Sequence, residues 1–371
     1  MDERDAYVAL NLMEGVGPVT VRTLAAGLGS VAALFEAPAD ALRAVPGAAP
    51  AAVAKLLDQR GRTDGAAERG RAERLGLRVL TPLDEAYPPL LREIHDPPLA
   101  LYVRGAFAPA DKQAIAVVGT RHATHYGRET ADLLAYQLVK AGFTVVSGLA
   151  RGIDTAAHRG ALKAGGRTLA VLGAGPDRLY PPENAGLADA IAAQGAVLTE
   201  FPLGREPDKT TFPIRNRIVS GLAMGVLVVE AASGSGALHT AHAAADQGRL
   251  VFAVPGRIDS AGSRGPHRLL KTGARLVESV EDILQEFEFL FPAAPRDLAR
   301  ATAPAAPALS PEEARVVAVL ERDGETDADS LTRASGLTAG RIGALLVGLE
   351  MKRVVRMLPG RRVDLVRRPA G

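Results

Sequence analysis

The chain has 371 residues, 47% of them hydrophobic, with no cysteine and a formal net charge of only +2 at pH 7. That length suits two or three packed domains. The lack of cysteine excludes disulfides, thiolate metal sites and a cysteine nucleophile, and the bulk charge does not announce a nucleic-acid partner. No apolar run approaches the roughly 20 residues needed to cross a bilayer. The charged start Met1–Asp5 lacks a secretory apolar region, so a cytoplasmic protein is expected, without membrane contact.

In chain order, residues 1–72 are rich in Ala and Leu, with helical spacing at Val8, Leu12 and Val19 and again at Val31, Leu34 and Phe35. Two glycine turns, Gly15–Pro18 and Val45–Gly47, fall between short helices. This is a helical unit of helix-hairpin-helix or sterile-alpha-motif type, whose turns serve a phosphate or simply close tight corners. A proline-rich stretch and an extended segment, Leu99–Gly105, open residues 78–290. Six β-rich runs recur there: Ala114–Gly119, Phe143–Gly148, Arg167–Gly173, Ala196–Glu200, Val226–Glu230 and Leu250–Val254. Helical stretches such as Gly127–Ala141 and Ala156–Ala164 separate most of them, so the segment reads as an extended Rossmann-like, doubly wound parallel sheet. The fold class is thus α/β, flanked by the helical unit before and a small unit behind.

Residues 291–309, rich in Ala and Pro, read as a linker. In 310–371, Ser310–Pro311 caps a helix. Further helices are expected over Thr326–Ala334 and Thr338–Glu350, then a hairpin turning at Pro359–Gly360. Three helices and a hairpin make a winged helix. Seven of its last twenty residues are basic against one acid, and Lys352, Arg353, Arg361 and Arg362 are the candidates for duplex backbone contact. A solvated hairpin in a protein-interaction module fits the same residues.

In doubly wound sheets, ligands bind beyond the carboxyl ends of the strands, near the switch point. The first, second, third and fifth of the six runs each lead into a glycine loop: Gly119–Arg121, Gly148–Asp154, Gly173–Asp177 and Ala232–Gly236. Glycine lets backbone N–H groups approach an anion at a helix N-terminus; one such loop only closes a turn, but the set predicts a phosphate-lined groove. Neither dinucleotide nor P-loop spacing is met, since Gly173–Arg178 lacks the third glycine and Gly265–Thr272 the second. No cofactor and no metal are expected.

The run Lys209–Ile218 places Arg215 and Arg217 in the first turn of a helix starting near Pro213 or Ile214, where the dipole disfavours cations. A carboxylate such as Glu200 or Glu230 offsets them, or a nucleic-acid phosphate does. Phe212 stacks on a base or packs in the core.

Five motifs then occur in order: Gly119-Thr-Arg121 through Gly127; Ser147–His158; Val171–Pro181; Phe212–Arg217; and Val254–Gly256. Together they resemble the DNA-processing protein A family, also called Smf, over about 110–280. The resemblance implies a homodimeric recombination mediator that binds incoming single-stranded DNA during natural transformation, protects it and helps load the RecA recombinase, with no catalysis of its own. It places the single-strand pocket on Gly119, Thr120, Arg121, Lys209, Phe212, Arg215, Asn216 and Arg217.

Two other classes compete. Ser233–His242 is superficially like the motif of phosphoribohydrolases acting on nucleotides but lacks the catalytic acid, while Asp154 and His158 are spaced to pair as an acid–base couple. A transcriptional regulator would instead read duplex DNA through the winged helix.

Overall fold

A computed structural model describes residues 1–287, 309–352, 354–358 and 362–365. The chain forms two compact units, Met1–Phe291 and Pro292–Gly371.

The first unit is built on a nine-stranded sheet. Its strands, in chain order, are β1 (Arg78–Leu80), β2 (Leu101–Gly105), β3 (Ala114–Val118), β4 (Thr144–Ser147), β5 (Thr168–Val171), β6 (Ala196–Thr199), β7 (Gly225–Val228), β8 (Leu250–Ala253) and β9 (Arg275–Leu276). They lie in the order β1-β2-β6-β5-β4-β3-β7-β8-β9. Strands β3 to β9 run parallel, and β1 and β2 add an antiparallel edge. The chain moves one way from β3 through β6, then returns to the other side of β3 with β7. The switch point therefore falls between β3 and β7.

All six β-rich runs are strands, because both faces of a parallel sheet are covered and apolar residues serve at every position. Alternate side chains feed two cores. Ala116, Val118, Val226 and Val228 pack beneath the helices Thr211–Gly221 and Gly236–Asp246. Ile115, Val117, Val145 and Leu227 pack beneath His125–Lys140 and Ile153–Lys163.

The glycine turns of the N-terminal segment do sit between helices, Glu3–Asn11 with Pro18–Leu28 and Ala39–Ala44 with Pro50–Gln59. Leu10, Leu24, Leu34, Leu42 and Leu56 form their common core. Polar ties join this segment to the sheet: Asn11 Nδ2 donates to the Glu200 carbonyl at 2.8 Å, and Glu68 accepts from Tyr102 Oη at 3.2 Å and the Leu203 amide at 3.0 Å. Among the described residues, no helix is long and apolar enough to cross a membrane.

The second unit has the expected helices Pro311–Asp323, Ala328–Ser335 and Ala339–Met351. Ser310 and Glu313 form a reciprocal capping box at the first. One element differs. Thr326–Asp327, expected in a helix, is a short strand paired with Arg362 and Val363. The hairpin Val355–Leu358 and Arg362–Leu365 supplies ladder bonds there, and Asp327 caps the helix instead.

Candidate functional site

Three of the four predicted glycine loops meet at the switch point. The loops after β3, β4 and β7 line a pocket of about 440 Å³ at the carboxyl edge of the sheet. The fourth loop, after β5, is outside the lining and backs the Phe212 ring: a Cβ on Gly173 would come within 2.7 Å of it. Only glycine seats that ring so close to the strand end.

The remaining wall comes from one helix. Thr211–Gly221 starts two residues earlier than expected, so Pro213 lies at its third position, still within the turn whose N–H groups have no helical acceptor. Phe212, Arg215, Asn216 and Val219 all face the pocket, the spacing of a single helical face. Arg217, two residues from Arg215, points elsewhere. It pairs with Glu200 at 2.5 Å and Asp96 at 2.9 Å. Glu200 is thus the counter-charge to Arg217. Glu230 has another task, accepting from the Thr124 amide at 2.9 Å and the Thr124 hydroxyl at 2.5 Å, while its carbonyl holds the Thr120 amide at 2.7 Å. It fastens the Gly119–Thr124 loop.

Arg215 is buried. It donates to the Gly148 carbonyl at 2.6 Å and to the Val171 carbonyl, with Nε 3.2 Å from Asn216 Oδ1. Burial lowers its pKa to about 10, with Asp154 opposing, so it remains a cation at neutral pH. Burial likewise raises the Asp154 carboxyl above its ordinary range, against the pull of Arg215 and the amides of Ala150 and Gly148.

Arg121 differs from both. It is exposed and pairs with no carboxylate among the described residues, and its guanidinium lies 4.5 Å from the centroid of the half-buried Phe212 ring. A cation over an aromatic face at the mouth of a pocket offers a phosphate contact beside a stacking surface. Lys209 is also exposed and forms no ion pair among the described residues; it stands just ahead of the helix and outside the pocket lining. Gly119, Thr120, Arg121, Phe212, Arg215 and Asn216 are thus brought together; Lys209 lies beside them and Arg217 is turned away. The sequence marks Asp154 as a member of the motif Ser147–His158 and by its spacing from His158, with no sign that it is buried in the field of Arg215.

The spacing of Asp154 and His158 does not produce an acid–base couple. Asp154 Oδ2 accepts from the Gly148 and Ala150 amides at 3.1 and 3.3 Å. The His158 Nδ1 sits 2.7 Å from Thr168 Oγ1, whose own proton goes to the Val145 carbonyl. Nδ1 must therefore carry the imidazole proton, leaving Nε2 buried without a partner among the described residues. Burial, aided by Arg215, lowers the His158 pKa to about 3. The unfolded chain then binds a proton that the folded chain refuses, so stability is full above the ordinary histidine range and falls as pH drops through it. At pH 5 the expected loss is about 2 kcal/mol relative to neutral pH. Urea unfolding of wild type and His158→Leu across that range checks this: the variant's pH dependence should be flatter, and identical slopes would remove His158 from the account.

In the second unit, Lys352 pairs with Glu313 at 2.8 Å and Arg362 with Glu325 at 2.9 Å. Arg353 and Arg361, with the turn Pro359–Gly360, lie outside the described residues. Among the described residues, no cluster of His, Asp or Glu could hold a metal.

Known proteins share this architecture. Residues 78–288 match the family model described as DNA recombination-mediator protein A, and 300–361 match a winged-helix domain model of the same family. The chain is 38% identical to Protein Smf of Synechocystis over 286 residues, 76% of this chain and 72% of that one. It resembles the X-ray structure of DNA processing protein A from Streptococcus pneumoniae at 34% identity and a TM-score of 0.66, covering 76% of this chain and 97% of that one. A second structure, describing the single-stranded DNA binding mode of DNA processing protein A from Helicobacter pylori, is 30% identical with a TM-score of 0.51, over 56% of this chain and 95% of that one.

Proposed function

The chain belongs to the DNA recombination-mediator protein A family, and on that premise we propose that it binds single-stranded DNA in the switch-point pocket. One observation carries the reading: Arg121, exposed and in no salt bridge among the described residues, lies over Phe212 at the pocket mouth. A base takes the ring face and a phosphate takes the guanidinium. Lys209 adds a second available cation beside the same helix end. The amino ends of Ile153–Lys163 and Gly236–Asp246 border the pocket, and their dipoles favour an anion. Gly119, Thr120 and Asn216 shape the wall, while Arg215 holds it from behind. Protection of the bound strand, its delivery to the RecA recombinase and homodimer formation follow from the family resemblance and extend this reading. Duplex contact through the winged helix has less support, because Lys352 is paired with the buried Glu313 and Arg362 pairs with Glu325 at a more open contact.

The test is binding of a labelled single-stranded oligonucleotide against the matching duplex. Wild type should prefer the single strand with little regard for sequence. Arg121→Ala with Lys209→Ala should weaken it roughly tenfold or more. The salt dependence should flatten by about 0.7 in log–log slope for each phosphate that no longer meets a cation. A double variant that binds like wild type would remove the pocket from the function.

A further inference from the structure

The Arg121–Phe212 pair has a neighbour of the same chemistry. The Tyr180 ring lies 6.0 Å from that of Phe212, tilted by 52°. Across Tyr180, the Arg151 guanidinium sits 5.7 Å from the ring centroid, and its Nη1 is 3.4 Å from the tyrosine hydroxyl. The order is therefore cation, ring, ring, cation, running outward from the pocket mouth. We infer that Tyr180 and Arg151 form a second nucleotide subsite, continuing the groove so that consecutive bases rest on Phe212 and Tyr180 and consecutive phosphates meet Arg121 and Arg151. This rests on the single-strand reading of the pocket and extends it to a register of two residues per repeat.

Three features favour a binding surface over loop packing alone. Arg151 directly follows Ala150, which already lines the pocket, so the two subsites share one loop. That loop is fixed to the loop bearing Tyr180 by the buried Asn184, whose amide donates to the Leu149 carbonyl and to Thr155 Oγ1, both at 2.9 Å; the ring and cation are held in place before any ligand arrives. And Arg151 has a replaceable partner. Its side chain is 48% exposed and that of Glu183, its carboxylate, 50%. An ion pair so open to water contributes little, and a phosphate can displace the carboxylate without burying a charge.

The chain has no tryptophan, so a single substitution introduces a unique fluorophore. Tyr180→Trp and, as reference, Phe212→Trp are titrated with an oligothymidylate about 12 nucleotides long, long enough to span a single-strand groove. Quenching of both tryptophans at the same DNA concentration is the expected result. In unlabelled protein, Arg151→Ala should weaken binding by roughly fivefold and flatten the salt slope by about 0.7. Glu183→Gln should tighten binding about twofold by freeing Arg151 at an exposed pair, a gain that a purely structural Arg151–Glu183 contact would not give. Quenching at position 212 with a silent position 180, or unchanged affinity in both Arg151→Ala and Glu183→Gln, overturns the second subsite and leaves the first intact. Silence at both positions while the DNA still binds overturns the pocket itself.

Discussion

Replacing Arg215 by leucine is expected to destabilise the first unit by about 3–5 kcal/mol, from leaving two buried carbonyls without their donor at roughly 1–3 kcal/mol each. Arg215 is only 5% exposed. Its loss leaves the carbonyls of Gly148 and Val171 without this donor and removes one of the positive charges that act on the buried Asp154. Each is a desolvated polar group that water cannot reach. For a unit of this size, that corresponds to a fall of roughly 6–10 °C in melting temperature. Arg215→Lys should lie between, since an ammonium on a single stem cannot reproduce the planar fork. Thermal unfolding measures both. A drop below about 2 °C in the leucine variant with single-strand binding abolished would make Arg215 a ligand contact and not a structural tie.

Arg215 also marks the border between what is legible in the sequence and what is not. The motif Arg215-Asn216-Arg217 reads as one basic cluster, and the family resemblance carries all three residues to the pocket. Helical geometry separates them. Residues two apart lie about 200° apart around the axis, so Arg215 and Arg217 cannot serve one ligand. Phe212, Asn216 and Val219 can, and Arg215 shares their side of the helix with its guanidinium tied to the Gly148 and Val171 carbonyls. That division follows from residue spacing alone. The counter-charges do not: Glu200 and Asp96 reach Arg217 from distant parts of the chain. The same holds for the winged helix. Its last residues look strongly basic in sequence, yet Glu313 and Glu325 come back to Lys352 and Arg362. Local charge counting misses such pairings because it sees only neighbours along the chain.

The sheet is far more legible. Continuous apolar runs such as Ala114–Val118 and Gly225–Val228 stand out because both faces are buried. The edge strands are harder. Arg275–Leu276 is two exposed residues, held by pairing with Phe252 and Ala253 rather than by any pattern of its own. Tyr180 and Arg151 stand out only as members of motifs; that they stack beside Phe212 depends on how the loops after β4 and β5 fold against each other.

Gly152→Ala should disable the Arg121 loop and destabilise the unit together. Gly152 has φ +78° and ψ −121°, a combination that residues with a Cβ scarcely adopt. The space is closed as well: a Cβ there would lie 2.3 Å from the Thr120 carbonyl oxygen and 2.8 Å from that of Arg121. Both obstacles are backbone, so no side-chain rotation relieves them. Either the helix Ile153–Lys163 loses its first turn, or the Gly119–Arg121 loop moves out and its bond from the Ile153 amide to the Thr120 carbonyl breaks. Backbone strain and overpacking together give an expected cost of roughly 2–4 kcal/mol. With Arg121 displaced from Phe212, single-strand affinity should fall on the order of tenfold or more. Gly234→Ala is the matched control, since Gly234 also lines the pocket but its Cβ would meet nothing within 4 Å; its melting temperature should stay at the wild-type value. Oligonucleotide titrations and thermal unfolding of the two variants side by side separate the cases. Equal stability for both would show that the two loops can part without cost, and the close seating of Gly152 under Thr120 would then have no part in shaping the pocket.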